Sequence, residues 1–258
     1  MGLFASVSSR MTVTALLCAA VTAGAAACGG GTGHSPGQAG ASKAAASPSR
    51  TADPLAGLSA QQIFSRSLDD LKAASSVRVT GSSTVSGQPT GIDSTLVHAA
   101  GCQGRFTMGS KGSFSFIMIG KRFWIKPDRQ FYTSLGITDP NTLVMLQGHY
   151  VKTSSSSADM KSFSPLCDPS QLAAQAVGDH ATVILGSRTT IDGQLVQELH
   201  VHDRGQTGTL AVSVAARPEF VQMTGDTSGQ LAFTAYDQPV RLTAPPAGGT
   251  IDGSKLGM

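Results

Sequence analysis

Charged and aromatic side chains are scarce in this 258-residue chain: charged residues make up 14% of it, aromatic residues 5%, and there is one tryptophan. Globular domains usually carry about 25% charged residues. A formal net charge of only +3 is not the basic excess of a nucleic-acid-binding protein. So few aromatic rings also supply no stacking platform for single strands. We therefore expect no nucleic-acid partner.

Common catalytic and cofactor motifs are missing from the part of the chain that could fold around them. There is no G-x-x-x-x-G-K-[ST] and no H-E-x-x-H, and the one G-x-S-x-G match, residues 33–37, lies in a segment rich in Gly, Ala, Ser and Pro instead of between a predicted strand and a helix. These observations argue against the familiar nucleophile, nucleotide and zinc-hydrolase chemistries. Glu198, His200 and His202 in "ELHVH" would share one face of a strand. Since Leu199 and Val201 would then point to the opposite side, we expect the histidine face to meet solvent. We expect no metal, no cofactor and no enzymatic activity.

The first 28 residues contain an apolar run that is too short and too rich in Ala, Gly and Thr for a spanning helix, which needs about 20 strongly apolar residues. This run, residues 11–27, follows Arg10 and precedes Cys28, as in a secretory signal peptide. The small residues before Cys28 resemble a bacterial lipobox, in which the cysteine is lipidated and becomes the mature N-terminus. We expect a signal peptide over residues 1–27 and lipidation of Cys28. The alternative is a plain signal peptide with an incidental cysteine.

Residues 28–57 consist almost entirely of Gly, Ala, Ser, Thr and Pro. Such a segment cannot bury enough apolar surface to offset its ordering entropy, so we expect a disordered tether. About 200 residues remain, enough for one sizeable core. We therefore expect a single folded domain over residues 58–258.

That domain begins with a helical pattern and continues with strands. In "LSAQQIFSRSLDDLKAAS", Ser59 is a plausible N-cap, and Ile63, Phe64, Leu68 and Leu71 form one apolar stripe. Ten or eleven short segments with a period of two follow, from "SSVRVTGSSTVSG" to "PVRLTAP". Only "DPNTLVMLQG" and "DPSQLAAQAVG" interrupt them, each with an Asp cap and a Pro in the first turn. This inventory predicts a wide antiparallel sheet that curls and carries few helices.

One predicted hairpin, around Gly120, is apolar on both faces. Phe114, Phe116 and Met118 would line one face, Ile117 and Ile119 the other, and Phe123, Trp124 and Ile125 follow directly. A strand pair of this kind lies between two apolar volumes. One of them is the ordinary hydrophobic core, and the other is a ligand, a partner or simply the short helices. Five basic residues surround the hairpin: Lys111, Lys121, Arg122, Lys126 and Arg129. They would either bind anionic headgroups at the mouth of a cavity or protect a solvent-exposed strand edge from pairing with another strand.

Cys102 and Cys167 are the only cysteines beyond residue 28. An even pair in an oxidising compartment predicts a disulfide. It would join the start of the hairpin region to the segment before "DPSQLAAQAVG". The alternative is two buried free thiols.

Taken together, Cys28, the tether, "SAQQIFSRSLDDLKAASSVRVTGS", "KRFWIKPDRQFY", "GHYVK" and "GQLAFTAYDQPVRLTAPP" resemble actinobacterial envelope lipoproteins of the LppX/LprG kind. The resemblance implies an α+β, LolA-like fold: a large curled antiparallel β-sheet, or half-barrel, with a few α-helices over its concave face. It also implies an extracytoplasmic protein, anchored to the outer face of the cell membrane through its acylated N-terminus, that carries or presents lipid or lipoglycan.

We expect the acyl chains to lie on the concave side. The hairpin would supply Phe114, Phe116, Met118 and either Trp124 or its neighbours Phe123 and Ile125, because a slip of one residue exchanges the faces. A helical lid would supply Leu143, Leu146 and Leu172. The alternative function is an interaction platform or sensor for a membrane-protein partner, with a filled core and no lipid cargo.

Overall fold

A single open sheet of twelve strands dominates the structure, in the order β12-β6-β5-β4-β3-β2-β1-β11-β10-β9-β8-β7. The structure is a computed structural model, and it describes residues 53–85, 87–157, 167–169, 181–203, 205–225 and 229–256. The strands are Ser76–Val85, Gln88–Val97, Gly101–Thr107, Ser113–Ile119, Arg122–Pro127, Tyr150–Ser154, Thr182–Ile191, Gln194–Asp203, Gln206–Ser213, Phe220–Gly225, Gly229–Thr234 and Thr250–Asp252, labelled β1 to β12 in chain order. Every strand pairing in the described ranges is antiparallel except β12 with β6, which is parallel. The predicted curled half-barrel is thereby confirmed.

Three α-helices lie in the described part of the chain: α1 (Ala60–Ala73), α2 (Arg129–Ser134) and α3 (Pro140–Leu146). Helix α1 begins as predicted, with Ser59 and Gln62 forming a capping box. Asp139 caps α3, whose first turn contains Pro140. Helix α2 was not predicted from the sequence, and the predicted helix after Asp168 lies largely outside the described residues. None of the helices in the described ranges is long and apolar enough to cross a bilayer.

Cross-strand registers separate the two faces of the sheet. One row joins Val79, Ser94, Gly104, Phe116, Ile125 and Val151 on β1 to β6. The neighbouring row, which points the other way, joins Arg78, Thr95, Gln103, Ile117, Trp124 and Lys152. We call the face with Phe116 the concave face, because the helices pack on it, and the face with Trp124 the outer face.

Helix α1 covers the half of the concave face formed by the later strands. The ring of Phe64 lies 6.0 Å from that of Phe220 on β10, and Phe220 lies 6.1 Å from Phe233 on β11. Ile63 and Leu71 of the same helix are 1% and 0% exposed. The apolar stripe of α1 therefore builds the core with β8 to β11, as its spacing predicts.

Two features differ from those predicted. The folded unit Ala52–Met258 includes residues 53–57, which were expected to belong to the tether. Leu55 is buried in the core, and Asp53 pairs with Arg188 at 2.6 Å. The segment "PVRLTAP" is not a strand. Strand β12, of three residues, is too short to produce a recognisable alternation in the sequence.

Candidate functional site

The concave face of β4 and β5 is a continuous apolar surface. In the register of this hairpin, Phe114 opposes Pro127, Phe116 opposes Ile125 and Met118 opposes Phe123. Pro127 is buried, and the other five side chains belong to or pack against the main core. The structure therefore brings together the predicted lining residues Phe114, Phe116, Met118, Phe123 and Ile125.

Aromatic rings run across this surface in direct contact with one another. Phe106 of β3 lies 5.7 Å from Phe114, and Phe114 lies 6.3 Å from Phe116. Phe116 and Phe123 are nearly parallel, with 6.2 Å between their centroids. We call this series the aromatic floor: Phe106, Phe114, Phe116 and Phe123.

Gly104 makes room for the floor. It opposes Phe116 directly, and a Cβ atom at this position would lie 3.0 Å from Cζ of the Phe116 ring and closer still to the backbone of Ser94. The Phe116 ring therefore extends across β3 instead of standing upright from β4. A larger residue at position 104 would displace the ring or the strand.

Trp124 is not part of the floor: of the two alternatives for β5, its neighbours Phe123 and Ile125 lie on the concave face and Trp124 does not. It opposes Ile117, and both point to the outer face. The hairpin register explains the difference: Ile119 pairs with Arg122 across a two-residue turn of Gly120 and Lys121. Gly120 has a φ of 58°, and a positive φ at only the first turn position is typical of a type II′ turn.

The predicted lid leucines form a second cluster beside the floor. Leu143 and Leu146 of α3 pack with Tyr132 of α2, together with Ile137 and Ile251. Ile251 aligns with Val151, which places the cluster on the concave side near β6 and β12. Leu172 lies outside the described residues.

Tyr132 carries a buried polar atom within that cluster. The residue is 4% exposed, and its hydroxyl has no hydrogen-bond partner among the described residues. Burial raises the pKa of the phenol to about 12 because the charged form loses its hydration. Tyr132 is therefore neutral at physiological pH.

Asp128 connects α2 to the floor. Its carboxylate accepts hydrogen bonds from the Phe131 backbone N–H at 2.8 Å, the Ser113 N–H at 2.8 Å and the Ser113 hydroxyl at 2.7 Å. Burial raises its pKa, but the hydrogen bonds from Ser113 and Phe131 and the nearby charge of Arg105 outweigh this, so the pKa lies below its usual value. Phe131 then meets Phe114 edge-on at 5.2 Å. Sequence reasoning missed this contact, although "KPDRQ" contains a recognisable Asp cap.

The predicted disulfide is present. Cys102 of β3 and Cys167 are joined, with 5.3 Å between their Cα atoms. Cys102 lies on the concave face, because it opposes Leu96 and Met118, and both cysteines are buried. The bridge therefore holds the chain at Cys167 against the concave face near the floor.

Strand β8, which contains the "ELHVH" segment, alternates between core and solvent as predicted. Leu199 and Val201 are buried in the core, whereas His202 is exposed. His200 lies 3.3 Å from the Thr209 hydroxyl, and Glu198 accepts a hydrogen bond from Ser187. In the described ranges, no three His, Cys, Asp or Glu side chains group as metal ligands.

A shallow groove of about 460 Å³ lies on the outer face and was not predicted. Its wall includes Arg78, whose guanidinium binds Asp93 at 2.9 and 2.7 Å, and Arg105 and Gln103 of β3. Tyr150 also lines it. The lining residues come from β1, β2, β3, β4 and β6, so only the sheet brings them together.

Comparison with known proteins gives structural neighbours alone. No family model and no curated protein matches the chain. Similar solved structures include the lipoprotein LppX from Mycobacterium tuberculosis, at 16% identity and a TM-score of 0.48, covering 71% of this chain and 98% of that one. A LolA superfamily protein from Nitrosomonas europaea has 13% identity and a TM-score of 0.25, covering 73% and 96%.

A third neighbour is a putative outer membrane lipoprotein-sorting protein domain from Vibrio parahaemolyticus, at 9% identity and a TM-score of 0.22, covering 69% of this chain and 95% of that one. These proteins are of the kind that the sequence resembles. The half-barrel itself is established by the strand order and registers described above. At this level of similarity, the comparison says nothing about ligand or activity.

Proposed function

We propose that this protein is an extracytoplasmic lipoprotein that binds acyl chains on its concave face and carries or presents them in the cell envelope. The observation that carries the proposal is the aromatic floor, a surface without charge that spans β3 to β5 beneath α2. Met118, beside it, is only half-buried. Phe114, Phe116 and Phe123 are 3%, 6% and 1% exposed, so an acyl chain would contact the floor by replacing the side chains that cover it, and it would meet no reactive group there.

Apolar burial alone is sufficient for this binding. Each buried methylene contributes about 0.8 kcal/mol. A chain with about ten buried carbons therefore gains roughly 8 kcal/mol before ordering costs. An acyl chain can therefore bind with useful affinity without any specific polar contact. This agrees with the lack of catalytic motifs in the folded part of the sequence. We propose that the protein is not an enzyme and uses no cofactor.

Membrane attachment is the second part of the proposal. Cys28, which lies outside the described residues, would carry the acyl anchor and become the mature N-terminus. The oxidising compartment that this implies agrees with the Cys102–Cys167 disulfide. We propose that the folded unit sits at the outer face of the cell membrane.

Native mass spectrometry of protein purified from its own membrane tests the lipid cargo. We expect a co-purified acyl species in the wild type and its loss in Met118→Glu, because the carboxylate would enter the apolar floor. Ile117→Glu is the matched control: Ile117 is the neighbouring residue, equally half-buried, but on the outer face. Circular dichroism of both variants verifies that the fold is retained.

One observation favours a second candidate, an interaction platform without cargo. The rings of Phe114, Phe116 and Phe123 contact one another directly, as they would in a core that is already filled. Wild-type protein without any acyl species, together with no saturable binding of added fatty acid, would decide for the platform.

A further inference from the structure

The outer face of β5 and β6 carries three cations and two aromatic residues. We call them the outer patch: Arg122, Trp124, Lys126, Tyr150 and Lys152. Alternation along each strand places them on the same side, since Trp124 opposes Lys152 and Arg122 opposes Ser154. Successive residues on one strand face are about 6.6 Å apart, so the cations lie within roughly 13 Å of one another.

Each aromatic ring of the patch lies beneath a cation. The guanidinium of Arg122 is 5.5 Å from the centre of the Trp124 ring, and Nζ of Lys126 is 5.6 Å from that of Tyr150. Cation–π contacts of this kind hold long side chains near the sheet. Arg122, Lys126 and Lys152 remain exposed, so their charges face outward.

The patch cations lack acidic partners. Among the described residues, Arg78 pairs with Asp93, Arg188 with Asp53, and Arg217 with Asp70 and Asp237. No described carboxylate lies within 4.0 Å of any of the three patch cations. Asp252 of β12 aligns with Lys152 on the same face but forms no salt bridge with it, so the three cations and this carboxylate together present a net charge of +2 to an external anion.

The charge of the patch is a local excess. All 16 acidic residues of the chain lie at or after Asp53, whereas three of the 19 basic ones, Arg10, Lys43 and Arg50, lie before it. The unit Ala52–Met258 is thus electrically balanced as a whole. What distinguishes the outer patch is that its three unpaired cations lie within roughly 13 Å of one another.

We propose that the outer patch docks on a bilayer surface with anionic phospholipid headgroups. Basic side chains gain energy at such a surface, and the half-buried amphipathic ring of Tyr150 favours the headgroup layer, whereas Trp124 is 4% exposed and lies beneath Arg122. The proposal rests on the proposed function only in placing the chain at a membrane. In this orientation the outer patch contacts the headgroups, and the concave face lies on the opposite side of the sheet.

Flotation with vesicles tests the docking. The protein used comprises residues 52–258, which contain every pairing and core contact described above and no acyl anchor. We expect it to bind phosphatidylglycerol–phosphatidylcholine vesicles, not to bind pure phosphatidylcholine, and to dissociate at high salt. Inorganic phosphate at equal ionic strength should compete no better than chloride, because the partner is a charged surface.

Charge-neutralising variants locate the binding face. Removing one cation from an anionic surface weakens binding about fivefold, so Arg122→Gln combined with Lys126→Gln and Lys152→Gln should lose on the order of 100-fold. The matched control removes three exposed cations outside the patch and should lose far less: Arg66→Gln, Lys111→Gln and Arg241→Gln. Equal losses in the two triple variants would overturn the proposal.

Trp124 reports the orientation directly, since it is the only tryptophan. Phosphatidylglycerol vesicles with a nitroxide-labelled headgroup should quench its emission on binding. Binding without quenching, or no binding to anionic vesicles, overturns the proposal; an acidic protein partner would then explain the patch. These outcomes do not depend on whether native mass spectrometry finds an acyl species, so the two proposals fail separately.

Discussion

We expect the hydrogen bonds of Asp128 to hold helix α2 against the sheet, and the variant Asp128→Ala tests this role. The carboxylate accepts one hydrogen bond from Phe131 as an N-cap and two from Ser113 at the start of β4. Loss of an Asp cap costs about 1 kcal/mol. The two bonds from Ser113 to a charged acceptor add about 1 kcal/mol each in this half-exposed position. We therefore expect Asp128→Ala to lower the free energy of unfolding by about 3 kcal/mol.

Asp139 supplies the matched control. It caps α3 through the Thr142 N–H at 2.8 Å and the Thr142 hydroxyl at 2.7 Å, both within its own helix turn. Asp139→Ala should therefore lose only the cap, about 1 kcal/mol. Urea unfolding of both variants at pH 7, followed by circular dichroism with an unchanged m-value, measures the difference. A double-mutant cycle of Asp128→Ala with Ser113→Ala should then show a coupling energy of about 1 kcal/mol.

The pH dependence of the same variant has a definite sign. The pKa of Asp128 is lower in the folded protein than in the unfolded chain, so its contribution is complete above the unfolded value of about 3.9 and is lost as the pH falls through the folded value. The stability difference between wild type and Asp128→Ala should therefore shrink only under acidic conditions. Equal destabilisation by Asp128→Ala and Asp139→Ala, or a difference that grows in acid, would refute the role of the Ser113 contact.

Three further predictions concern the anchor, the disulfide and the buried phenol. Cys28→Ala should move the protein from the detergent phase to the aqueous phase, and wild-type protein that already partitions into water after export would contradict lipidation. Replacing Cys102 and Cys167 by Ser should cost about 4 kcal/mol in urea unfolding, the chain-entropy value for a separation of 65 residues; dye labelling of both thiols in unfolded, unreduced wild type would rule the bridge out. Tyr132→Phe should leave the free energy of unfolding unchanged or raise it by about 1 kcal/mol, since the buried hydroxyl has no described partner. In an ultraviolet titration, the wild type should show a phenol that ionises near pH 12, and the variant should lack that step.

Local patterns predicted much of the fold. The capping box at Ser59, the apolar stripe of α1 and the Asp139–Pro140 start of α3 depend only on residues within a few positions of one another. Strand alternation likewise placed Leu199 in the core. The cysteine pair was predictable because only one pairing is possible beyond residue 28.

Longer-range features were not predictable in the same way. Helix α2 has six residues, too few for a recognisable period, and its position depends on Ser113, fifteen residues earlier. The outer groove and the outer patch draw on side chains from separate strands. The pairing order of the strands is what creates these surfaces.

The sequence by itself determined that this chain forms a curled antiparallel sheet with one amphipathic helix at its start, because helix caps and strand periods are local properties. Only the tertiary structure decided which residues share a face. Trp124 and Phe123 are neighbours, yet one lies on the outer face and the other on the aromatic floor. A slip of one residue exchanges the faces of a strand, and the two-residue turn at Gly120 selects one register of β4 with β5.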